Sequence, residues 1–76
     1  MDIKLEQYKT YYYVAKHASF SKAAEQLYMS QSAVSQSIKN LEQALGMPLF
    51  LRNSRGVTLT AEGELLFDYV EQALSL

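Results

Sequence analysis

The 76-residue sequence has no cysteine, no tryptophan, one proline, three glycines and one histidine. Without cysteine the chain cannot form a disulfide, a zinc knuckle or a catalytic thiolate, and it suits a reducing compartment. His17 has no second histidine or cysteine to complete a metal site, so we predict no metal and no cofactor in this chain. The scarcity of proline and glycine, with 49% hydrophobic residues, excludes a disordered chain or a linker. We therefore expect one small, mainly helical domain, too small to enclose a large active site.

Long apolar runs are also absent. The N-terminus reads "MDIKLEQYKTYYY" and lacks the apolar core of a signal peptide. No window approaches the roughly 18 consecutive apolar residues of a transmembrane helix. We therefore expect a cytoplasmic protein with no membrane partner.

The charges are divided unevenly along the chain, although the net charge is only −1. Residues 1–60 contain seven basic and four acidic side chains, a net +3, whereas the last 16 residues contain four acidic side chains and no basic ones. A modestly basic body therefore precedes an acidic tail. A net negative charge argues against binding to nucleic acid, but this argument is weaker when the acidic residues are concentrated at one end of the chain.

The first predicted helix covers about residues 3–16, with Leu5, Tyr8, Tyr12 and Ala15 on one face. The run "YYY" at 11–13 resembles a stacking platform for single-stranded nucleic acid. Consecutive helical side chains point in directions about 100° apart, however, so the three rings cannot form one surface. We predict core packing with one ring at the surface.

A second, short helix is predicted near residues 21–28, capped by Ser19 or Ser21. It is followed by "SQSAVSQSIKNLEQALG", residues 30–46, in which Ser30 is the predicted N-cap. An apolar stripe is formed in this third helix by Val34, Ile38, Leu41 and Leu45. The opposite face carries mostly uncharged polar groups: Gln31, Ser32, Ser35, Gln36, Lys39 and Asn40. Such a face is most often simply solvated, but short amides and hydroxyls also suit a binding surface.

Gly46 and Pro48 end the third helix. The segment "LFLRNSRGVTLT" then predicts a two-stranded hairpin: Leu49 and Leu51 precede the turn 53–56, and Val57 and Leu59 follow it. A last helix is predicted after Thr60, its N-cap. It reaches the chain end without a stop signal, and we expect it to continue in a longer protein.

This order of elements predicts a winged helix-turn-helix: a three-helix core, a two-stranded wing and a C-terminal helix. A helix fits the major groove of B-DNA, where amides and hydroxyls can contact base edges while a wing crosses the backbone. The alternative is a protein-binding winged helix that uses the aromatic first helix and the acidic last helix. The sequence offers no enzyme motif, because no histidine partners a serine and no glycine-rich loop could bind phosphate.

The segment "SFSKAAEQLYMSQSAVSQSIKNLEQALGMPLFLRNSRGVTLTAEG", residues 19–63, resembles the N-terminal DNA-binding domain of LysR-type transcriptional regulators. The resemblance implies a bacterial, sequence-specific double-stranded DNA-binding protein, with residues 1–60 as the DNA-binding domain. It implies a recognition helix at about 31–45 and a wing at about 49–60. Residues 61–76 would begin a linker and dimerisation helix. The family usually adds a C-terminal domain for a small-molecule effector, which this chain lacks, and RNA polymerase is a candidate partner of the full-length protein.

By position, the resemblance assigns DNA contact to Lys22, Ser30, Gln31, Ser32, Ser35, Gln36, Lys39, Arg52 and Arg55. Arg52 has an alternative structural role, pairing with Glu42 or with a helix C-terminus. The family often has proline where Ser32 stands, arginine where Gln36 stands and glycine where Ala18 stands. Ala18 therefore predicts either a helix end without a left-handed residue or some backbone strain.

The last helix carries more apolar surface than one small domain is expected to bury. We expect a homodimer through Leu65, Leu66, Tyr69, Val70, Ala73 and Leu74. Antiparallel pairing of these helices would let two recognition helices contact an interrupted inverted repeat, about one or more helical turns apart.

Overall fold

The computed structural model describes residues 4–54 and 56–75. Within these ranges the elements are α1 (Leu5–His17), α2 (Phe20–Leu27), α3 (Gln31–Leu45), β1 (Phe50–Asn53), β2 (Gly56–Leu59) and α4 (Ala61–Leu74). The two strands pair antiparallel and form the wing, residues 50–59. The winged helix-turn-helix predicted from the sequence is confirmed.

Side-chain caps set the starts of three helices. Ser19 Oγ accepts a hydrogen bond of 3.1 Å from the backbone amide of Lys22, in the first turn of α2. Ser30 Oγ accepts a hydrogen bond of 3.1 Å from the backbone amide of Ala33, in the first turn of α3. Thr60 Oγ1 caps α4 in the same way. These bonds satisfy amides that have no partner within their helix. The predicted caps Ser30 and Thr60 are therefore confirmed, and Ser19 rather than Ser21 is the N-cap of α2.

The hydrophobic core lies where α1, α2 and α3 meet, with α4 packed against α1. Its largest fully buried side chains are Tyr11, Val14, Val34, Leu41 and Leu49. The stripe predicted on α3 is confirmed, since Val34, Ile38 and Leu41 are buried and Leu45 packs against them. The core therefore fixes which face of α3 remains exposed.

The face predicted for α1 is partly wrong. Leu5 is 70% exposed, whereas Tyr11 and Val14 are completely buried. The reason is that α1 contacts three helices, α2, α3 and α4. Its buried surface is therefore wider than the predicted face: Tyr8, Tyr12 and Ala15 pack against the core as predicted, and Tyr11 and Val14 are buried in addition.

The three consecutive tyrosines point to different surroundings, as predicted. The Tyr11 hydroxyl donates a buried hydrogen bond to the carbonyl of Gly63 in α4. The Tyr12 ring stacks on Phe67, with centroids 5.3 Å apart, and the Tyr13 ring stacks on His17. They therefore tie α1 to α4 and to its own C-terminal turn rather than forming one platform.

The sheet register places Leu51 on the exposed face of the wing. Phe50 pairs with Leu59 and Arg52 with Val57, whereas Leu51 pairs with Thr58 on the other face. Leu51 is consequently 56% exposed and Phe50 is buried. Leu49, the residue before β1, is completely buried. Its carbonyl packs against Gly63 of α4 and accepts a hydrogen bond from the amide of Thr60, the N-cap of α4.

Among residues 4–54 and 56–75, none of the helices combines the length and the apolar character that a membrane span requires.

Candidate nucleic-acid interface

An open groove of about 580 Å³ separates the exposed face of α3 from the wing. We call it the α3–wing groove. Its floor includes the buried side chains of Phe20, Ile38 and Phe50. Its polar lining includes most of the DNA-contact residues predicted from the sequence: Gln31, Ser32, Ser35, Gln36, Lys39 and Arg52. The fold therefore brings six of the nine predicted residues to one concave surface.

Ser30 and Lys22 lie at the starts of neighbouring helices. Ser30 caps α3, and its Oγ lies 3.3 Å from the Oγ of Ser32. The side chain of Lys22 is exposed in the first turn of α2. Arg55, the remaining predicted contact, lies outside the described residues.

Several polar side chains of α3 are held by neighbours within the protein. Gln36 Nε2 donates to Asn40 Oδ1 at 2.9 Å, one helical turn further along. Ser35 Oγ accepts a hydrogen bond of 3.5 Å from the guanidinium of Arg52. Gln31 and Lys39 are exposed at the α3–wing groove. The surface therefore combines oriented hydrogen-bonding groups with exposed ones.

Arg52 is anchored by an aromatic ring. Its guanidinium carbon lies 4.0 Å from the centroid of Phe20, close enough for a cation–π interaction. The stacked guanidinium joins the wing to both α2 and α3. Arg52 therefore has a structural role in the free protein, and its remaining hydrogen-bond donors border the groove.

Glu42 supports the wing in a way that the sequence did not reveal. Its Oε2 accepts hydrogen bonds from the backbone amides of Leu49 at 2.7 Å and of Phe50 at 3.3 Å. The carboxylate thus holds the start of β1 against α3. A contact between a side chain and backbone that is distant in sequence leaves no periodic signal, so the sequence did not predict this role of Glu42. The contact between Arg52 and the ring of Phe20 was not predicted for the same reason.

A second, apolar groove of about 290 Å³ lies between α1 and α4. We call it the α1–α4 groove. All six side chains predicted for dimerisation are on α4, but their exposure differs. Leu65 and Tyr69 are 61% and 65% exposed, Leu66 and Leu74 are half-buried, and Val70 belongs to the core. Ala73 is exposed beside Leu74 at the rim. The surface available to a partner therefore centres on Leu65, Tyr69 and Ala73.

The four acidic side chains of α4 are all exposed, as are Lys22, Lys39 and Arg52. Lys39 and Arg52 line the α3–wing groove, whereas the acids belong to α4, which borders the α1–α4 groove. The exposed lysines Lys9 and Lys16 belong to α1. The acids found near the end of the sequence are therefore absent from the described lining of the α3–wing groove, which instead includes Glu42 of α3.

Comparison with known proteins agrees with this geometry. The family described as bacterial regulatory helix-turn-helix proteins, lysR family, matches residues 5–64. A probable RuBisCO transcriptional regulator of Emiliania huxleyi is 44% identical over 72 residues, 95% of this chain and 23% of the relative. The regulator HdfR of Shigella boydii is 46% identical over 70 residues, 92% of this chain and 25% of the relative.

The fold agrees with solved structures as well. The chain resembles a BenM DNA-binding domain in complex with catB site 1 DNA, with a TM-score of 0.92 and 37% identity over 96% of this chain and 82% of the other. The chain spans about a quarter of the length of the curated relatives it matches. With a family match over most of its length, it belongs to the lysR family of bacterial regulatory helix-turn-helix proteins.

Proposed function

We propose that this chain is the operator-binding domain of a bacterial transcriptional regulator and that it binds double-stranded DNA sequence-specifically. The observation that carries the proposal is the exposed polar face of α3, which borders an open groove beside the cationic wing. An α-helix fits the major groove, and amides and hydroxyls can pair with base edges there. The family is one of regulatory proteins rather than enzymes, which accords with this role.

Each side chain has a place in the proposed complex. The major groove receives α3, with Gln31, Ser32, Ser35 and Gln36 toward the bases. Lys22, Ser30, Lys39 and Arg52 face phosphates, and the resemblance to the family assigns Arg55 a contact with the DNA backbone or the minor groove. Because glutamine and serine form fewer charge-assisted bonds than arginine, phosphate contacts supply a large share of the affinity.

The assembly proposed for the whole regulator is a homodimer formed through α4. Two copies of α3 would then contact an interrupted inverted repeat. A small-molecule effector and RNA polymerase belong to the full-length regulator, and its compartment is the bacterial cytoplasm. The measured BenM–DNA complex supports DNA as the partner class, because that domain shares this fold and 37% of its residues.

Selection of binding sites from random double-stranded DNA tests this function. We expect an enriched inverted repeat whose affinity falls steeply with salt, since displaced counterions drive phosphate binding. Lys39→Ala should weaken binding to all sequences alike and reduce the salt slope by about 1. Gln31→Ala should relax the preference at one position, at a cost of about 1–3 kcal/mol.

Lys9→Ala is the matched control, because Lys9 is an exposed lysine of α1 away from the α3–wing groove. It should leave both the affinity and the salt slope unchanged. If no sequence is enriched and association is insensitive to salt, the protein-binding winged helix replaces this proposal.

A further inference from the structure

Gln36 occupies a special position on the exposed face of α3. It borders the α3–wing groove on one side. On the other side it borders a groove between α3 and the start of α1, which is lined by Lys4, Gln7, Ala33, Ser37 and Asn40 as well. Gln36 therefore stands on the ridge of α3 between two grooves, where a helix in the major groove approaches the bases.

The Gln36 amide is held in one orientation by Asn40. The hydrogen bond runs from Gln36 Nε2 to Asn40 Oδ1 at 2.9 Å, and both side chains are exposed. A primary amide has two N–H donors and one oxygen with two lone pairs. Asn40 occupies one donor. The second N–H and the whole of Oε1 remain for another partner.

This remaining set matches the major-groove edge of adenine. Adenine offers a donor at N6 and an acceptor at N7, so it can accept from Nε2 and donate to Oε1 of one glutamine. Guanine offers two acceptors at the corresponding positions, and its O6 would face Oε1. The order of the two groups also reverses between A·T and T·A. A fixed amide therefore fits adenine on one strand better than on the other.

We infer that Asn40 is a positioning residue that fixes the amide of Gln36 and so selects adenine on a particular strand of the operator. The inference rests on the proposed function, because it requires α3 to lie in the major groove. An amide pair spaced i, i+4 on a helix surface also supports the helix weakly. That support would change binding to all sequences alike, whereas positioning changes the preference between base pairs.

The experiment compares four proteins, the unchanged chain and three variants, on four forms of one operator. The 76-residue chain first selects its site from random DNA, and Gln36→Ala then identifies the base pair that Gln36 contacts as the position where preference is lost. Affinity is measured for operators with A·T, T·A, G·C and C·G at that position. The proteins are the unchanged chain, Asn40→Ala, Asn40→Asp and the control Gln43→Ala, which alters an exposed α3 amide outside both grooves.

Asn40→Ala should reduce the ratio of affinities for A·T and T·A by about fivefold, part of the discrimination that a bidentate amide–adenine pair supplies. Asn40→Asp should keep that ratio, because a carboxylate accepts the same bond and cannot donate in its place. Its added negative charge should weaken binding to all four operators alike. Gln43→Ala should change neither, and thermal unfolding should show that all variants fold.

Two results would overturn the inference while leaving the proposed function intact. One is an unchanged ratio in Asn40→Ala; the other is a Gln36→Ala variant that keeps the full preference at every position. If the unchanged chain selects no sequence at all, the proposed function fails and this inference fails with it.

Discussion

Two residues other than glycine hold left-handed backbone in the described part of the chain. Ala18 has φ 51° after α1, and Tyr28 has φ 56° after α2. The sequence left open whether Ala18 would avoid this conformation, and the structure shows that it adopts it. A Cβ in the left-handed region costs about 1–2 kcal/mol, so these turns are maintained by the packing of the helices that they connect.

Ala18→Gly should therefore stabilise the domain. Glycine adopts left-handed backbone without a steric penalty, and we expect the free energy of unfolding to rise by about 1 kcal/mol in urea denaturation. Ala15→Gly is the matched control, because Ala15 lies inside α1 and glycine there should lower stability by about 1 kcal/mol. Equal effects of the two substitutions would contradict the role assigned to the backbone angle.

Tyr11 should make stability depend on alkaline pH. Burial raises the pKa of the Tyr11 hydroxyl, and the nearby charge of Asp68 raises it further. An unfolded tyrosine ionises near pH 10, so the unfolded state loses its proton first. The stabilisation is then complete below about pH 10 and declines above it by up to about 1.4 kcal/mol per pH unit.

Tyr11→Phe separates this effect from other titrations. At neutral pH the variant should be less stable by about 1 kcal/mol, because the Gly63 carbonyl loses its donor. Above pH 10 the difference from the unchanged chain should shrink. Urea unfolding between pH 7 and about 11 measures both. Tyr28 is 97% exposed, so the stability of Tyr28→Phe should follow that of the unchanged chain at every pH. If the stability difference between Tyr11→Phe and the unchanged chain stays the same from pH 7 to about 11, the prediction is wrong.

At the scale of elements, the wing depends on α3 through Glu42. The carboxylate accepts from two backbone amides at the entry to β1, and both belong to buried residues. Glu42→Ala would leave these amides without their partner, and we expect a loss of about 1–3 kcal/mol in stability. Because the wing borders the proposed DNA surface, affinity for the operator should fall as well.

Glu42→Gln tests the hydrogen bonds separately from the charge. The amide oxygen can still accept from the Leu49 and Phe50 amides, so most of the stability should remain. Chemical denaturation and operator titration of both variants provide the measurements. If Glu42→Gln is as unstable as Glu42→Ala, the charge rather than the acceptor geometry supports the wing.

Local signals predicted most elements from the sequence, and tertiary contacts account for the exceptions. Ser30, Thr60 and Gly46 marked the ends of helices because caps and left-handed stops act within a few residues. The exposed face of α3 followed from its stripe for the same reason. Periodicity did not identify two of the buried aromatic residues. Tyr11 is buried because α4 covers that side of α1, and Phe50 rather than Leu51 is buried because of the strand register.

At the scale of the whole molecule, the uneven charge favours one way of assembling on DNA. The acids of α4 are exposed, and like charge repels phosphate. A dimer that pairs through α4 would place these acids away from the operator and direct both α3 helices to one side of it. Leu65 and Tyr69 are the exposed apolar side chains on which such pairing would depend.

Leu65→Glu and Tyr69→Glu should therefore abolish self-association without unfolding the domain, because both side chains are more than half exposed. Loss of the dimer removes simultaneous binding to two half-sites, and affinity for the inverted repeat should fall by about 100-fold or more. Affinity for a single half-site should remain unchanged. Sedimentation equilibrium and titration of both DNA forms provide the two measurements.

Gln26→Glu is the control for the added charge, since Gln26 is an exposed α2 residue that lines neither the α3–wing groove nor the α1–α4 groove. It should preserve the dimer and the affinity for the inverted repeat. A Leu65→Glu protein that still sediments as a dimer would assign pairing to another surface. A monomeric unchanged chain that binds both half-sites no more tightly than one would show that the domain contacts DNA as a single unit, and the spacing of the repeat would then be set by other parts of the regulator.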